Sequence, residues 1–317
     1  MRVLTITDGK PGHFNQARAL CSIMGWQSSE AVAGYPCKAA KGLTYLLDGL
    51  GIYRESAFRL EYEDAAYNAV VAVGSASYYP AKVISRRLDI PAIALMYPRG
   101  FRNDFAHILC PAYDNPPEAD NITPLPVTLS SRGADFFMDA VDDFKGKTDI
   151  TGPAVSVIIG GGNKYGDVCP RQIQTQLEQI FELTGESKHW VTTSRRTSGE
   201  VERIVESFPF DYKLIYSKEQ YNPIPAFIAL SERIFVTSDS ASMISECVSE
   251  GRAKIEILKN KPKRKSKFDR FLAGLVENAN AHIFDGSLGD AGKKVSVKEI
   301  VAAALEKSGF KRGGGSA

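Results

Sequence analysis

The sequence predicts an α/β protein with two parallel, doubly wound sheets, each covered by helices on both faces. Apolar strand segments alternate with helical segments, and the alternation restarts after a polar stretch at 142–153. The chain has 317 residues, a length that suits two domains. We predict a first domain over 1–148 and a second over 149–296 that face a central cleft. The last helix, about 297–307, is expected to pack back on the first domain.

The first domain is predicted to start with a strand at 3–7, a loop at 8–13 and a helix with an apolar stripe. Further apolar runs predict strands at 69–73, 90–96 and 106–110. One helix is expected near 43–50, and a second follows the loop at 74–77 and ends near 87.

In the second domain we predict strands at 154–159, 190–193, 212–216 and 234–237, with 254–258 closing the sheet. Two of the helices between them are expected at 173–183 and 225–230. Two more are expected to begin at the capping box at 197–200 and near Ser240.

Composition describes an ordinary soluble globular protein, with 44% apolar and 24% charged residues. A net charge of +2 gives no general attraction to nucleic acid. The five cysteines form no CxxC pair, which indicates reduced thiols and a cytoplasmic location. No signal peptide and no apolar run of about 18 residues is found, so any membrane contact is expected to be peripheral. The histidines lack metal-ligand spacing, and we expect no required metal or other cofactor.

Three strands of the second domain are followed by loops rich in hydrogen-bond donors. They have the sequences GGGNK at 160–164, SRRT at 194–197 and SDSAS at 238–242. Glycine lets the backbone approach an anion closely, arginine matches phosphate geometry, and a helix N-terminus attracts negative charge. Since parallel strands end at one edge, we predict a phosphate-containing ligand there, preferably a nucleotide. The predicted donor-binding residues are Gly161, Gly162, Asn163, Lys164, Ser194, Arg195, Arg196, Ser238, Ser240, Ser242 and Glu246.

The helix after the third loop is predicted to carry a polar stripe of Ser242, Ser245, Glu246 and Ser249. Glu246 is close enough to the N-terminus to bind a sugar hydroxyl. The alternative is a plain surface helix capped by Asp239 or Ser240. The chain has no GxxxxGK[ST] and no GxGxxG after its first strand, which argues against P-loop and hydride-transfer chemistry.

In the first domain the loop DGKPGH at 8–13 carries an ionisable pair, Asp8 and His13. His13 suits a general base near neutral pH, and Asp8 could serve if its surroundings raised its pKa. Alternatively, Asp8 braces the loop and His13 caps the helix. Arg99 and Arg102 follow another strand and either hold an anionic acceptor or lie in a solvated turn. A basic segment at 259–270 is either a solvated loop or a contact with an anionic surface.

Taken together, DGKPGHFNQ, GGGNKY, TTSRRT and VTSDSASMISE resemble the mitochondrial fission ELM family, named for a plant protein and common in bacteria as proposed glycosyltransferases. The resemblance spans 7 to about 251 and implies a GT-B fold. One departure is the sequence PAYD at 111–114, where the family often has Pro-x-His-Asp. The missing histidine leaves that turn without an implied role.

The resemblance implies an inverting, metal-independent glycosyltransferase that uses a nucleotide sugar and a glycan or glycolipid acceptor in cell-envelope or lipopolysaccharide synthesis. Glu246 would hold the donor ribose, and Ser240, Ser242, Arg195 and the glycine loop would hold the phosphates. Asp8 or His13 would be the base, with the acceptor bound by Lys10, Gly12, Gln16, Arg99 and Arg102. The alternatives are a non-catalytic adaptor and a nucleotide-sugar 2-epimerase, and CMP-linked acidic sugars remain open as donors.

Overall fold

The computed structural model describes residues 1–129, 134–147, 154–163, 166–262 and 267–313. The chain divides into two compact units. Unit 1 contains Met1–Ser131 and Ser296–Ala317, and unit 2 contains Arg132–Val295. Each unit is built around one six-stranded parallel sheet, which confirms the predicted α/β class with two doubly wound sheets.

The sheet of unit 1 has the strand order β2-β1-β3-β4-β5-β6. Its strands are β1 Arg2–Thr7, β2 Gln27–Val32, β3 Ala69–Val73, β4 Ala92–Leu95, β5 His107–Pro111 and β6 Ile122–Leu125. The helices are α1 Pro11–Met24, α2 Lys38–Gly49 and α3 Tyr78–Leu88, and short 3₁₀ turns cover Glu55–Ala57 and Ala112–Asp114. The central strand β3 is buried along its whole length, because its apolar residues face helices on both sides.

The sheet of unit 2 has the order β10-β9-β7-β11-β12-β14, and β8 and β13 form a small antiparallel pair. Its strands are β7 Ala154–Ile158, β8 Gly166–Asp167, β9 Lys188–Thr192, β10 Tyr212–Leu214, β11 Ser231–Thr237, β12 Lys254–Leu258, β13 Lys261–Pro262 and β14 His282–Ile283. The helices are α4 Ala134–Lys147, α5 Pro170–Leu183, α6 Gly199–Ser207, α7 Ile224–Leu230, α8 Ala241–Ser249 and α9 Lys267–Glu277. The edge beyond β12 is therefore β14, so residues 254–258 do not close the sheet.

The division between the units lies before α4 rather than at 148. The reason is Phe144, a fully buried α4 residue whose ring packs edge-on against Trp190 at 5.3 Å and Phe227 at 5.8 Å in unit 2. Residues 142–147, expected in a linker, thus belong to a helix of the second core. The remainder of the expected linker, 148–153, lies outside the described residues.

The last helix, α10 Val297–Lys307, returns to unit 1 and packs on α1 and β6. The residues that follow it are also fixed there. The Ser308 hydroxyl lies 2.8 Å from His107 Nδ1, and the indole of Trp26 donates to the Lys311 carbonyl at 2.8 Å. The core of unit 1 thus includes residues from both ends of its sequence.

Candidate functional site

Hydrogen bonds join the three donor-rich loops at the carboxyl edge of the unit 2 sheet. The Thr197 hydroxyl donates to the Gly160 carbonyl at 2.6 Å, and the Gly160 amide donates to the Thr237 hydroxyl at 2.7 Å. The Asn163 side chain donates to the Asp239 carbonyl at 2.8 Å. The loops after β7, β9 and β11 therefore form one connected cluster, as the parallel-strand argument predicts.

Asp239 lies at the centre of this loop cluster with a fully buried side chain. Its carboxylate accepts hydrogen bonds from the Arg196 guanidinium at 2.5 Å, the Thr237 hydroxyl at 2.6 Å and the Gly161 amide at 3.3 Å. Sequence reasoning considered Asp239 only as a helix cap. Its partners come from three separate segments of the chain, so no local spacing could have revealed this role.

The glycines of the first loop make room for protein groups rather than for an external anion. A Cβ on Gly160 would lie 2.0 Å from Asp239 Oδ1, and one on Gly161 would lie 2.0 Å from the Arg196 carbonyl oxygen. A Cβ on Gly162 would lie 2.6 Å from an Asp167 carboxylate oxygen. Glycine thus permits a close approach of protein groups: the buried Asp239 carboxylate at Gly160, the Arg196 carbonyl at Gly161 and the exposed Asp167 carboxylate at Gly162.

Of the two neighbouring arginines, only Arg195 is available for a ligand. Arg196 bonds Asp239 and also donates to the Gly161 and Gly162 carbonyls at 3.3 and 3.4 Å, so it braces the loop cluster from within. Arg195 is exposed, and its guanidinium makes no ion pair within the described part of the chain. Ser194 Oγ accepts from the Arg196 amide at 3.2 Å. The predicted ligand Lys164 lies outside the described residues.

The N-terminus of α8 offers backbone donors beside the loop cluster. Ser240 is the N-cap, with its hydroxyl accepting from the Met243 amide at 3.4 Å, and Ser238 Oγ accepts from the Asn260 amide at 2.8 Å. Both hydroxyls thus serve the fold. The amides of Ala241 and Ser242 have no hydrogen-bond acceptor among the described residues. Free amides and the helix dipole favour an anion at this end of α8.

Two of the predicted polar residues on α8 differ in exposure. Glu246 is half-buried about one and a half turns from the N-terminus, while Ser245 is buried. The continuous polar stripe predicted from the sequence is therefore wrong at Ser245, because that position faces the core beside Ile244 and Val248. Ser242 is exposed in the first turn, on the side that remains open.

In unit 1 the loop after β1 and the first turn of α1 bring Asp8 and His13 together. His13 Nδ1 lies 2.6 Å from Asp8 Oδ1, and the Lys10 ammonium lies 2.5 Å from Asp8 Oδ2. Burial acts to raise the pKa of Asp8, but the Lys10 and His13 contacts outweigh it and hold that pKa below its ordinary value. Asp8 is thus ionised at neutral pH, which contradicts the option of a base with a raised pKa. A carboxylate at Nδ1 fixes the tautomer in which Nε2 of His13 accepts a proton.

Gly74, in the loop between β3 and α3, creates the space that His13 occupies. Its φ is +90°, and a Cβ there would lie 2.6 Å from both Nδ1 and Cε1 of the imidazole. Sequence reasoning placed Gly74 at a strand end but could not connect it with His13, because the contact depends on the order of strands in the sheet. The imidazole is therefore held between Asp8 and Gly74.

We expect Gly74→Ala to displace His13 and to lower the free energy of unfolding by about 2 kcal/mol, because the methyl group overlaps the ring and the positive φ disfavours alanine. Denaturant unfolding measures the stability, and NMR titration of the His13 ring reports its surroundings. Gly42→Ala is the control, since nothing lies within 4 Å of a Cβ at that helical position. Parent-like stability and an unchanged His13 titration in Gly74→Ala would show that the contact does not position the ring.

The predicted acceptor residues fall into two groups. The first group is close to His13 in sequence: Lys10 directly precedes α1, and Gly12 and Gln16 lie in its first two turns. Lys10 forms an ion pair with Asp8. Arg99 donates to the Asp114 carbonyl at 2.8 Å, and Arg102 lies 3.7 Å from an Asp104 carboxylate oxygen. The Arg99 contact gives the turn at 111–114 a structural role, although that turn lacks the family's histidine.

Two of the three other histidines, His107 and His189, make contacts that explain them structurally. His107 Nε2 lies 2.9 Å from the Thr123 hydroxyl, and burial lowers the pKa of His107. Burial likewise lowers the pKa of His189, which stacks on Phe181. In the described ranges, no group of three or more His, Cys, Asp or Glu side chains is arranged to hold a metal ion. Within the basic segment at 259–270, residues 263–266 lie outside those ranges.

The sequence model of the mitochondrial fission ELM1 family matches residues 11–307. The chain belongs to this family. No curated protein matches this member of the ELM1 family. No helix in the part of the chain that the structure describes is long and apolar enough to cross a bilayer.

Solved structures with the GT-B fold resemble this ELM1-family chain across its whole length. A proposed UDP-N-acetylglucosamine 2-epimerase from Listeria monocytogenes is 10% identical, with a TM-score of 0.51, and the match covers 98% of this chain and 88% of that one. A UDP-glucosyltransferase from Polygonum tinctorium is 9% identical, also with a TM-score of 0.51, over 97% of this chain and 93% of that one. At this identity the similarity establishes the fold, and the chain has the GT-B fold that its motifs implied.

Proposed function

We propose that this chain is an inverting glycosyltransferase that needs no metal ion and transfers a sugar from a nucleotide-activated donor to a hydroxyl of a glycan or glycolipid. The observation that carries the proposal is the contact of 2.6 Å between His13 Nδ1 and the ionised Asp8. Such a pair orients the imidazole so that its second nitrogen can accept a proton from an acceptor hydroxyl. The two structurally similar proteins are both named for UDP sugars, which supports the class of donor.

The donor is proposed to bind at the carboxyl edge of the unit 2 sheet. Its diphosphate would accept hydrogen bonds from the free amides of Ala241 and Ser242 and from the exposed Arg195 guanidinium. These groups supply positive charge without a metal, which is what a departing nucleoside diphosphate requires. Glu246, on the same helix, would accept a hydrogen bond from a ribose hydroxyl. The braced loop cluster around Asp239 and Arg196 keeps the α8 terminus rigid.

The proposed reaction is a single displacement at the anomeric carbon. The acceptor oxygen attacks this carbon as its bond to the donor phosphate breaks, and the bonding electrons leave with the nucleoside diphosphate. His13 Nε2 takes the proton from the acceptor hydroxyl. The resulting imidazolium is stabilised by Asp8, which stays ionised because its pKa is held low. Attack opposite to the leaving group inverts the anomeric configuration.

Donor binding can be tested with UDP by thermal and denaturant unfolding. At about 100 times its dissociation constant, UDP is expected to stabilise the parent by about 2.7 kcal/mol. Glu246→Ala should keep the parent fold but lose most of this stabilisation. Glu232→Ala is a matched control, since Glu232 is an exposed glutamate at the opposite, amino end of β11. A Glu246→Ala protein that responds to UDP like the parent would refute the ribose assignment.

Incubation with nucleotide sugars separates the proposed activity from the two alternatives. A glycosyltransferase releases the nucleotide of the donor in proportion to an added acceptor, a diphosphate from a UDP sugar and CMP from a CMP-linked sugar. An epimerase converts the sugar of the donor without any acceptor, and an adaptor protein leaves the nucleotide sugar unchanged. Including CMP-linked acidic sugars in the same screen identifies the nucleotide class, because Arg195 suits a sugar carboxylate as well as a phosphate.

A further inference from the structure

Helix α2 exposes Leu43 and Leu46 and buries two polar residues, while its third leucine, Leu47, packs against the core. The fully buried side chains of α2 are Thr44 and Asp48. Leu43, Leu46, Leu50 and Ile52 are 49%, 60%, 64% and 39% exposed. We call these four residues the α2 stripe. A helix that only covered a core would be rotated the other way, with the leucines inside.

Asp48 fixes the helix in this orientation. Both carboxylate oxygens of Asp48 accept from the Lys82 ammonium, at 2.7 and 2.9 Å, and one accepts from the Arg102 amide at 2.7 Å. Lys82 and Asp48 are both almost completely buried, so separating them would leave a charge without compensation. The ring of Tyr45 stacks on Phe101 at 4.1 Å on the same inner side. The exposure of the α2 stripe is therefore built into the packing of unit 1.

The α2 stripe holds a large share of the exposed apolar side chains in the described residues. Among the described residues, eleven large apolar side chains are exposed, and four of them lie within 43–52. The other exposed positions from Lys38 to Ile52 are Lys38, Ala39, Gly42, Gly49 and Gly51. Among these exposed positions the single charge is Lys38, at the first residue of α2, while Lys41 is half-buried and donates to the Ser75 hydroxyl at 2.8 Å. Scattered exposed apolar residues need no explanation, but a continuous uncharged face indicates a binding surface.

Cations lie at both ends of the α2 stripe. Lys38 is exposed at the first residue of α2 and makes no ion pair in the described ranges. At the other end, a Cβ on Gly51 would lie 3.2 Å from an Arg102 guanidinium nitrogen, so this half-exposed cation lies beside the residue that joins Leu50 to Ile52. A second nitrogen of the same guanidinium lies 3.7 Å from an Asp104 carboxylate oxygen. An apolar face flanked by basic side chains is the pattern of helices that lie in the interface of an anionic bilayer.

We propose that the α2 stripe is a docking surface for an anionic lipid bilayer, with the leucines in the interface and Lys38 and Arg102 at the head groups. A second copy of the chain fits this surface less well. Pairing two stripes about a two-fold axis brings the Lys38 end of one copy to the Arg102 end of the other, so cations meet in the antiparallel arrangement. Bilayer docking does not depend on the proposed donor site, because it involves neither Glu246 nor Arg195.

Sedimentation with vesicles tests the docking surface on the full chain. We expect the parent to cosediment at low ionic strength with vesicles of phosphatidylcholine and phosphatidylglycerol, and much less with phosphatidylcholine alone. Leu46→Gln/Leu50→Gln should reduce the bound fraction by about tenfold or more. Leu183→Gln/Val276→Gln, which changes equally apolar exposed positions in unit 2, should bind like the parent. Lys38→Gln/Arg102→Gln should remove the preference for phosphatidylglycerol.

Several results would overturn the proposal. One is a parent protein that stays in the supernatant with both kinds of vesicle, and another is a stripe variant that cosediments like the parent. Binding that is lost in Lys263→Ser/Arg264→Ser/Lys265→Ser but kept in the stripe variant would assign the contact to the basic segment at 259–270. A lipid-free parent dimer that dissociates in the stripe variant would assign the surface to a second copy. Circular dichroism and the thermal midpoint establish that each variant is folded.

Discussion

His13→Gln is expected to lower the turnover of sugar transfer by about 10²–10⁴, with little change in donor affinity. Glutamine fills a similar volume between Asp8 and Gly74 but cannot accept the proton of the acceptor hydroxyl. Asp8→Asn should lower turnover in the same range. It removes the carboxylate that lies 2.6 Å from His13 Nδ1 and fixes the tautomer of the ring. Steady-state rates with a nucleotide sugar and a competent acceptor measure the effect.

The control for both variants is the stabilisation by UDP, which should match that of the parent. Equal weakening of donor binding in His13→Gln and Asp8→Asn would instead place this loop at the donor, and the acid–base role would fail. Both variants should be compared with the parent at neutral or mildly alkaline pH. The lowered pKa of Asp8 means that its ion pairs stabilise the loop above the ordinary carboxyl pKa and are lost as the pH falls through the lowered value.

Arg196→Ala is expected to lower the free energy of unfolding by about 2–3 kcal/mol. It leaves the buried Asp239 carboxylate without its cationic partner and frees the Gly161 and Gly162 carbonyls. The estimate is below that for a fully buried pair, because 39% of the Arg196 side chain is exposed to solvent. Denaturant unfolding measures the change.

Arg195→Ala is the matched variant at the neighbouring position. Its exposed guanidinium makes no ion pair in the described residues, so stability should change by less than about 0.5 kcal/mol. The stabilisation by UDP should nevertheless fall, because this variant removes a proposed phosphate contact. If Arg195→Ala proved the more destabilising of the two, the division of roles between the arginines would be wrong.

The strands that were predictable from the sequence are those buried on both faces. The bounds of β3 agree with the apolar run at 69–73, because a central parallel strand of this kind is apolar on both sides. The bounds of β12 also agree with the prediction at 254–258, although this strand buries Glu256, which pairs with Arg233 and His282. Strand β2, with the sequence QSSEAV, escaped prediction. It lies at the sheet edge, where most of its residues are exposed and its pairing depends on backbone hydrogen bonds with β1.

The candidate site was predictable in its location but not in its internal bonding. Strand ends, glycines and arginines point to a ligand site from local sequence alone. Which arginine braces the loops and which remains available depends on Asp239, 43 residues away in the chain. The contact between His13 and Gly74 likewise depends on strand order. Long-range partners of this kind leave no periodic signal in a single sequence.

The return of α10 to unit 1 reverses the order in which the two cores can be completed on the ribosome. Residues up to 131 emerge first, but Trp26 and His107 await partners at 310, 311 and 308. At about 5–20 residues per second, those partners follow roughly ten to forty seconds later. Unit 2, continuous in sequence from Arg132 to Val295, is synthesised in full within that interval. The nascent chain therefore lacks the contacts of Trp26 and His107 with residues 308–311 until all of unit 2 has been synthesised.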